Sequence, residues 1–226
     1  MNQVYILDTD CLKDEELFQC CFHHMPLERR KAVKRFKHSS DRRLSLGAGI
    51  LEALAFHHFQ IDDAEAKIQK GEHGKPYLAS HPNIRFNLSH SGHMAAIAVS
   101  DESETGIDVQ QILKATAALI QKVSTPFEQS QLLACEENLR DELFIRMWTV
   151  KESFMKLEGT GMTISPSLLQ TSFADPEQIQ YKDQKADVCF TTWKIEDCWI
   201  TCALINPGPV RIEQIEVQEL RDYFQS

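Results

Sequence analysis

The chain has no run approaching the roughly 18 uninterrupted apolar residues that a membrane-spanning helix requires. It also lacks a CxxC pair, a low-complexity linker and any surplus of positive charge. Its opening, MNQVYILDTD, lacks the charged and apolar regions of a secretory signal. Each absence removes a class of protein. No membrane span is expected. Seven cysteines are an odd number, with Cys20 and Cys21 adjacent. They fit free buried thiols in a reducing compartment better than a disulfide framework or a zinc site, so the expected location is the cytoplasm. A net charge of −9 argues against a general nucleic-acid binder, because a phosphate backbone needs a cationic partner surface.

What remains is ordinary in bulk and uneven in detail. With 226 residues, 42% apolar and 25% charged, the chain can form one large domain or two small ones. Eight of the 24 Lys and Arg residues fall between Arg29 and Arg43, against Glu28 and Asp41 nearby. A local basic patch on an acidic protein suits a small phosphorylated ligand. The plain alternative is a solvated helix face.

The pattern predicts a strand at 3–7, a basic helix over Pro26–Phe36 and a second helix over Asp41–Phe59 with an apolar face. GEHGKPYL has the glycine and proline of a turn. NIRFNLSHSGHMAAIAVS reads as two strands about a polar turn at Ser89–His93, and TGIDVQ reads as a third. Short connections make these three strands expected antiparallel neighbours. A helix over Arg140–Glu158 stops at Gly159 and Gly161. FTTWKI and CWITCALI form a hairpin about Glu196 and Asp197. Both halves thus run from a long helix into paired strands. With no linker between them, they are expected to pack closely around a groove.

Three segments carry chemistry. Asn87–Gly92 offers a histidine flanked by serines and a glycine, able to donate to phosphate oxygens or simply to turn a hairpin. A zinc site at His90 and His93 is weaker, since no cysteine or acid has suitable spacing. On the GIDVQ strand, Asp108 and Gln110 share one face, and Ile107 and Val109 share the other. The carboxylate and amide suit a hard cation, or an ordinary amphipathic edge. In the long helix, Glu152 and Lys156 share a face, with Glu152 beside Trp148 at the edge of the apolar arc and Lys151 inside that arc. A buried acid there calls for a cation or metal. The alternative is a plain i,i+4 pair with Lys151 snorkelling outward.

Together and in order, GKP (Gly74–Pro76), FNLSHSG (Phe86–Gly92), GIDVQ (Gly106–Gln110) and WTVKESFMKLEGTG (Trp148–Gly161) resemble the surfactin-synthetase-type 4′-phosphopantetheinyl transferases. The resemblance runs from the basic helix near Arg29 to at least Gly161. It implies an α+β pseudo-dimer of two similar halves, each with antiparallel strands on a long helix. Residues 1–108 would be the nucleotide-binding half with the first metal ligand, and 109–226 the half carrying Glu152 and Lys156, with the active site between. The implied reaction moves the phosphopantetheine arm of coenzyme A to a serine of an apo acyl or peptidyl carrier protein, with Mg²⁺, releasing adenosine 3′,5′-bisphosphate. Such carriers serve fatty-acid, polyketide or nonribosomal peptide biosynthesis.

Position by position, the resemblance makes Asp108 and Glu152 metal ligands. Gln110 stands where many relatives carry a third acid, and its oxygen or a water would fill that place. Lys156 matches the phosphate-contacting lysine, Ser89 and His90 the turn that binds nucleotide phosphates, and Lys75 with Pro76 the loop lining the adenine. Arg43, more than Arg29, matches the 3′-phosphate cluster. The catalytic set is then Glu152, Lys156 and Asp108, with Glu152 deprotonating the serine directly or through a bound water. The pseudo-dimer implies a monomer. Carrier docking is expected on a local surface, for which Ile112–Phe127 is the candidate (Leu113, Leu119, Ile120, Val123, Phe127), unless it packs on the core. Two rivals are a metal-dependent nuclease using Asp108, Glu152 and Lys156, and a non-catalytic coenzyme A-binding scaffold.

Overall fold

A computed structural model describes residues 1–62, 66–172, 177–182 and 184–225. Its strands are β1 (Asn2–Asp8), β2 (Ile68–Lys70), β3 (Pro76–Leu78), β4 (Arg85–Ser91), β5 (Met94–Ser100), β6 (Thr105–Gln111), β7 (Leu169–Thr171), β8 (Ile179–Tyr181), β9 (Gln184–Lys185), β10 (Cys189–Ile195), β11 (Cys198–Leu204) and β12 (Val210–Gln214). Its helices are α1 (Glu15–His24), α2 (Leu27–Arg35), α3 (Ser39–His58), α4 (Ala117–Val123), α5 (Pro126–Ala134), α6 (Glu137–Glu158) and α7 (Val217–Gln225).

One plan occurs twice. β1 leads through α3 to the β4–β5 hairpin, and β1 pairs antiparallel with β5. β6 leads through α6 to the β10–β11 hairpin, and β6 pairs antiparallel with β11. The sheets run β12-β1-β5-β4 and β10-β11-β6, with β12 added parallel to β1. A division after residue 108 would cut β6, so the second unit opens at that strand. The expected helix-then-hairpin order holds in both units, each with one strand before the helix.

Period-two alternation explains why β1 and β5 are buried almost throughout. Tyr5, Leu7, Ala95, Ile97 and Val99 face α3, among Leu46, Ile50 and Leu54. Val4, Ile6, Met94, Ala96 and Ala98 face the second sheet, where Ile107, Val109, Ile200 and Cys202 meet them. The core between the sheets is therefore apolar and includes small side chains, and Asp108 and Gln110 point away from it.

TGIDVQ is not a backbone neighbour of the β4–β5 pair, as its short connection suggested. Its ladder partner is β11. Along β4 it meets side chains instead. Asn87 Oδ1, Ser89 Oγ and Ser91 Oγ accept from the amides of Ile107 (3.0 Å), Val109 (3.2 Å) and Gln111 (3.1 Å). These acceptors recur every second residue on both strands, so they form a seam joining the two sheets. The expected turn at Ser89–His93 shrinks accordingly to Gly92 and His93, with Gly92 at φ +60°. Ser89 and His90 are strand residues facing opposite sides.

At Gly106 the backbone of α6 lies directly on β6. A Cβ built there would sit 2.1 Å from the Ser153 carbonyl oxygen and 2.5 Å from the Leu157 nitrogen. Only a glycine allows this approach. At the far end, Gly159 (φ +66°) takes the left-handed conformation that ends α6, as its sequence predicts. Replacing Gly106 with Ala forces the helix off the strand. We expect a loss of about 3 kcal/mol, at the upper end for overpacking, read as a lower thermal midpoint. An unchanged midpoint would contradict the close packing.

Candidate active site

Asp108 is 1% exposed, so its charge needs partners. Its Oδ1 accepts from Lys156 Nζ at 2.6 Å and from Ser89 Oγ at 2.8 Å, and its Oδ2 accepts from Gln110 Nε2 at 3.3 Å. Ser89 Oγ also accepts from Lys156 Nζ at 2.9 Å, besides the Val109 amide. Its one proton and both lone pairs are thus engaged within the protein. Ser91 Oγ donates to Gln110 Oε1 at 3.3 Å, which aims the Gln110 nitrogen at Asp108. The seam between the sheets is continuous with the acidic centre.

Glu152 lies one helical turn from Lys156 and is half-buried. Burial first, then the Asp108 charge, push its carboxyl above the ordinary glutamate range, while Lys156 pulls it down. Two mutually repelling carboxylates are hard oxygen donors that suit a divalent cation such as Mg²⁺, whereas the Gln110 amide, expected as a further ligand, turns its nitrogen toward Asp108 and its oxygen toward Ser91. Among the described residues, the groupings compact enough to hold a metal unaided lie elsewhere. His93 gathers with Asp197 and Cys198, and with Asp8 and Glu196. Spacing in sequence argued against such a site because Glu196, Asp197 and Cys198 arrive through the β10–β11 turn and Asp8 from the end of β1.

The remaining candidates flank this centre. His90 reaches solvent on the α3 side of β4. Surrounding protein, then the cations Lys156 and Arg29, hold its imidazole below the usual histidine range. Arg29 is paired with Glu52. Arg43 lies 3.6 Å from Asp10, and among the described residues its buried Nε has no hydrogen-bond partner. Lys75 Nζ donates to Glu104 Oε2 at 3.0 Å and to the Leu157 carbonyl at 2.7 Å, tying its loop to the end of α6. A cavity of about 350 Å³ opens between Lys75, Pro76, Tyr77, Arg85, Phe86 and Glu104. Asp108, Gln110, Ser89 and Lys156 are brought together by hydrogen bonds, and Glu152 joins them electrostatically. Arg43 and Lys75 stand outside that cluster.

Lys151 does not snorkel outward. Its ammonium is fully buried and bonded to Glu128 at 2.6 Å. Sequence reading also missed Glu104 and the linking roles of Asn87 and Ser91. For Glu128 a signal existed: Thr125-Pro126-Phe127-Glu128 is a capping box, and it opens α5.

Because Glu152's folded value is raised, the stabilisation from its protonated form is complete below the ordinary glutamate value. It is lost as pH rises through the raised one. In metal-free protein, carboxyl ¹³C NMR should place the Glu152 midpoint above 4.5, its unperturbed value. Asp108→Asn should lower that midpoint by removing the like charge. A parent midpoint at or below 4.5 would refute this electrostatic picture.

Two family models match the chain in succession. One described as "4′-phosphopantetheinyl transferase, N-terminal" matches residues 13–102, and "4′-phosphopantetheinyl transferase superfamily" matches residues 104–203. The chain is 26% identical to the 4′-phosphopantetheinyl transferase Sfp of Bacillus subtilis (strain 168), over 85% of this chain and 88% of that protein. It is 30% identical to the transferase ffp of Bacillus subtilis over 61% of each chain, less than two thirds of that relative's length. It is 25% identical to the transferase gsp of Aneurinibacillus migulanus, over 93% of this chain and 90% of that protein.

Proposed function

The chain belongs to the 4′-phosphopantetheinyl transferase superfamily, and we propose that it transfers the phosphopantetheine arm of coenzyme A to a serine hydroxyl of an apo acyl or peptidyl carrier protein. The observation that carries this is the meeting of Asp108, Glu152 and Lys156 at the seam between the two units, with Lys156 reaching Asp108 across 48 positions of sequence.

In this reaction the serine oxygen bonds to the β-phosphorus of coenzyme A. The bond from that phosphorus to the bridging pyrophosphate oxygen breaks, and adenosine 3′,5′-bisphosphate leaves with the electron pair. Catalysis is then a matter of positioning and of stabilising charge on phosphoryl oxygens. Asp108 and Glu152 would hold Mg²⁺, which supplies positive charge to the pyrophosphate when bound. Gln110, bonded through its nitrogen to Asp108, orients that carboxylate. Lys156 has a flexible stem and donates to the leaving phosphate. Glu152, beside Asp108, is the base for the serine proton, taken directly or through a bound water. His90 and Arg43 anchor the nucleotide phosphates, and the cavity beside Lys75 and Pro76 takes the adenine. Ser89, with its hydroxyl fully engaged, sets Asp108 and Lys156 in place.

Among the described residues no helix is long and apolar enough to cross a membrane. All seven cysteines are free thiols, which suits a reducing cytoplasm. The segment Ile112–Phe127 divides by exposure. Val123 is core, whereas Leu113 (61%), Leu119 (42%) and Phe127 (43%) are exposed. Those three would form an apolar docking surface for a carrier.

Incubated with coenzyme A, Mg²⁺ and several apo carrier proteins, the protein should add one phosphopantetheine to an intact carrier by mass. EDTA should abolish the gain, and Glu152→Gln should cut turnover by at least ~100-fold. No gain on any carrier, with no coenzyme A binding, would refute the assignment. In the same assay, Leu119→Asp with Phe127→Asp should raise KM for the carrier and leave KM for coenzyme A unchanged. Unaltered carrier kinetics would remove this surface from the reading.

A further inference from the structure

Lys151 precedes Glu152 on α6 and so points about 100° away around the helix. It and Glu128 are both 0% exposed. The ammonium's three protons go to Glu128 Oε2 (2.6 Å), the Val123 carbonyl (2.9 Å) and the Pro166 carbonyl (3.0 Å). Glu128 Oε2 also accepts the Thr125 amide (2.7 Å), and Oε1 accepts both the amide (2.8 Å) and the hydroxyl (2.9 Å) of Thr171. Four pieces of the second unit thereby converge on one helical turn: the end of α4, the start of α5, the short helix Pro166–Leu168, and β7.

Stability alone does not call for charge at this place. A buried ion pair exchanged for well-packed apolar side chains is often neutral or stabilising. What apolar contacts supply poorly is direction. Three directional bonds hold Lys151 and three more hold its partner Glu128, which fixes how this turn of α6 is rotated, and the next residue is Glu152. On another side the helix is held by its backbone contact at Gly106 and by Thr149 Oγ1 bonded to Thr201 Oγ1 at 2.8 Å. We propose that Lys151 is a positioning residue whose bond to Glu128 sets the rotation of α6 that presents Glu152 to Asp108. This rests on the transferase reading and adds a fixed geometry for its metal ligands.

The test is Mn²⁺ binding to the coenzyme A complex, followed by loss of the free-ion EPR signal, with thermal melting and coenzyme A affinity measured alongside. In the double variant Lys151→Met/Glu128→Leu we expect a cooperative melt, parent-like coenzyme A affinity and Mn²⁺ affinity weakened about ten-fold. Thr171→Val removes one bond to Glu128 far from the groove, and should shift Mn²⁺ affinity the same way by roughly two- to five-fold. A folded double variant with the parent's Mn²⁺ affinity overturns the proposal. If the double variant does not melt cooperatively, Thr171→Val decides, and parent-like affinity there overturns it. A parent that binds neither coenzyme A nor Mn²⁺ fails the transferase reading itself and takes this proposal down with it, an outcome distinct from a variant-specific result.

Discussion

The amides of β6 that face β4 must find acceptors, and they find side chains where a sheet would offer carbonyls. Most of the site depends on that exchange. A backbone ladder would place the two strands 4.7–4.9 Å apart and run the sheets together as one. Asn87, Ser89 and Ser91 stand between the strands instead, and leave polar side chains beside Asp108. Ser89 shows how tightly structure and site are joined, since one hydroxyl closes the seam at Val109 and orients both Asp108 and Lys156.

The electrostatics follow from which carboxylate is satisfied. Asp108 is buried but accepts three bonds, one of them from a cation. Glu152 is less buried yet feels Asp108 as a like charge, and its carboxyl is raised. Two neighbouring acids are thereby made unequal by their surroundings. Lys156 links them, sharing a helix face with Glu152 and a bond with Asp108. Positive charge continues outward through His90's surroundings toward Arg29, although the protein as a whole is acidic.

The parts readable in sequence were those with local signals. Gly159 ended α6, and Glu196 with Asp197 turned the second hairpin, because backbone conformation there is set by neighbouring residues. The alternation in GIDVQ assigned Asp108 and Gln110 to one face. The candidate site residues were named mainly through a resemblance in motif order, since nothing local distinguishes Ser89 in a strand from Ser89 in a turn. Long-range pairing was illegible. A short connection suggested that β6 lies beside β5, while its true partner, β11, is about 90 residues further on. The alternative of Lys151 snorkelling stayed open for the same reason. An isolated lysine on an apolar arc snorkels, and Glu128, 23 residues earlier, together with the Val123 and Pro166 carbonyls makes burial tolerable.

The two units repeat one topology and divide the labour. In the first, the strand–helix–hairpin plan carries arginines along α2 and α3 and the serines of β4. In the second, the same plan places an aspartate on its opening strand and a glutamate and lysine on its helix. Asp108 without β4 would lose Ser89, and Lys156 would lose one of its two acceptors. The second unit without the first would keep two acids near one lysine, with no seam to orient them. The first alone would keep a basic patch without Asp108, Glu152 or Lys156. The candidate site therefore belongs to the junction, and the seam that satisfies three strand amides is what assembles it.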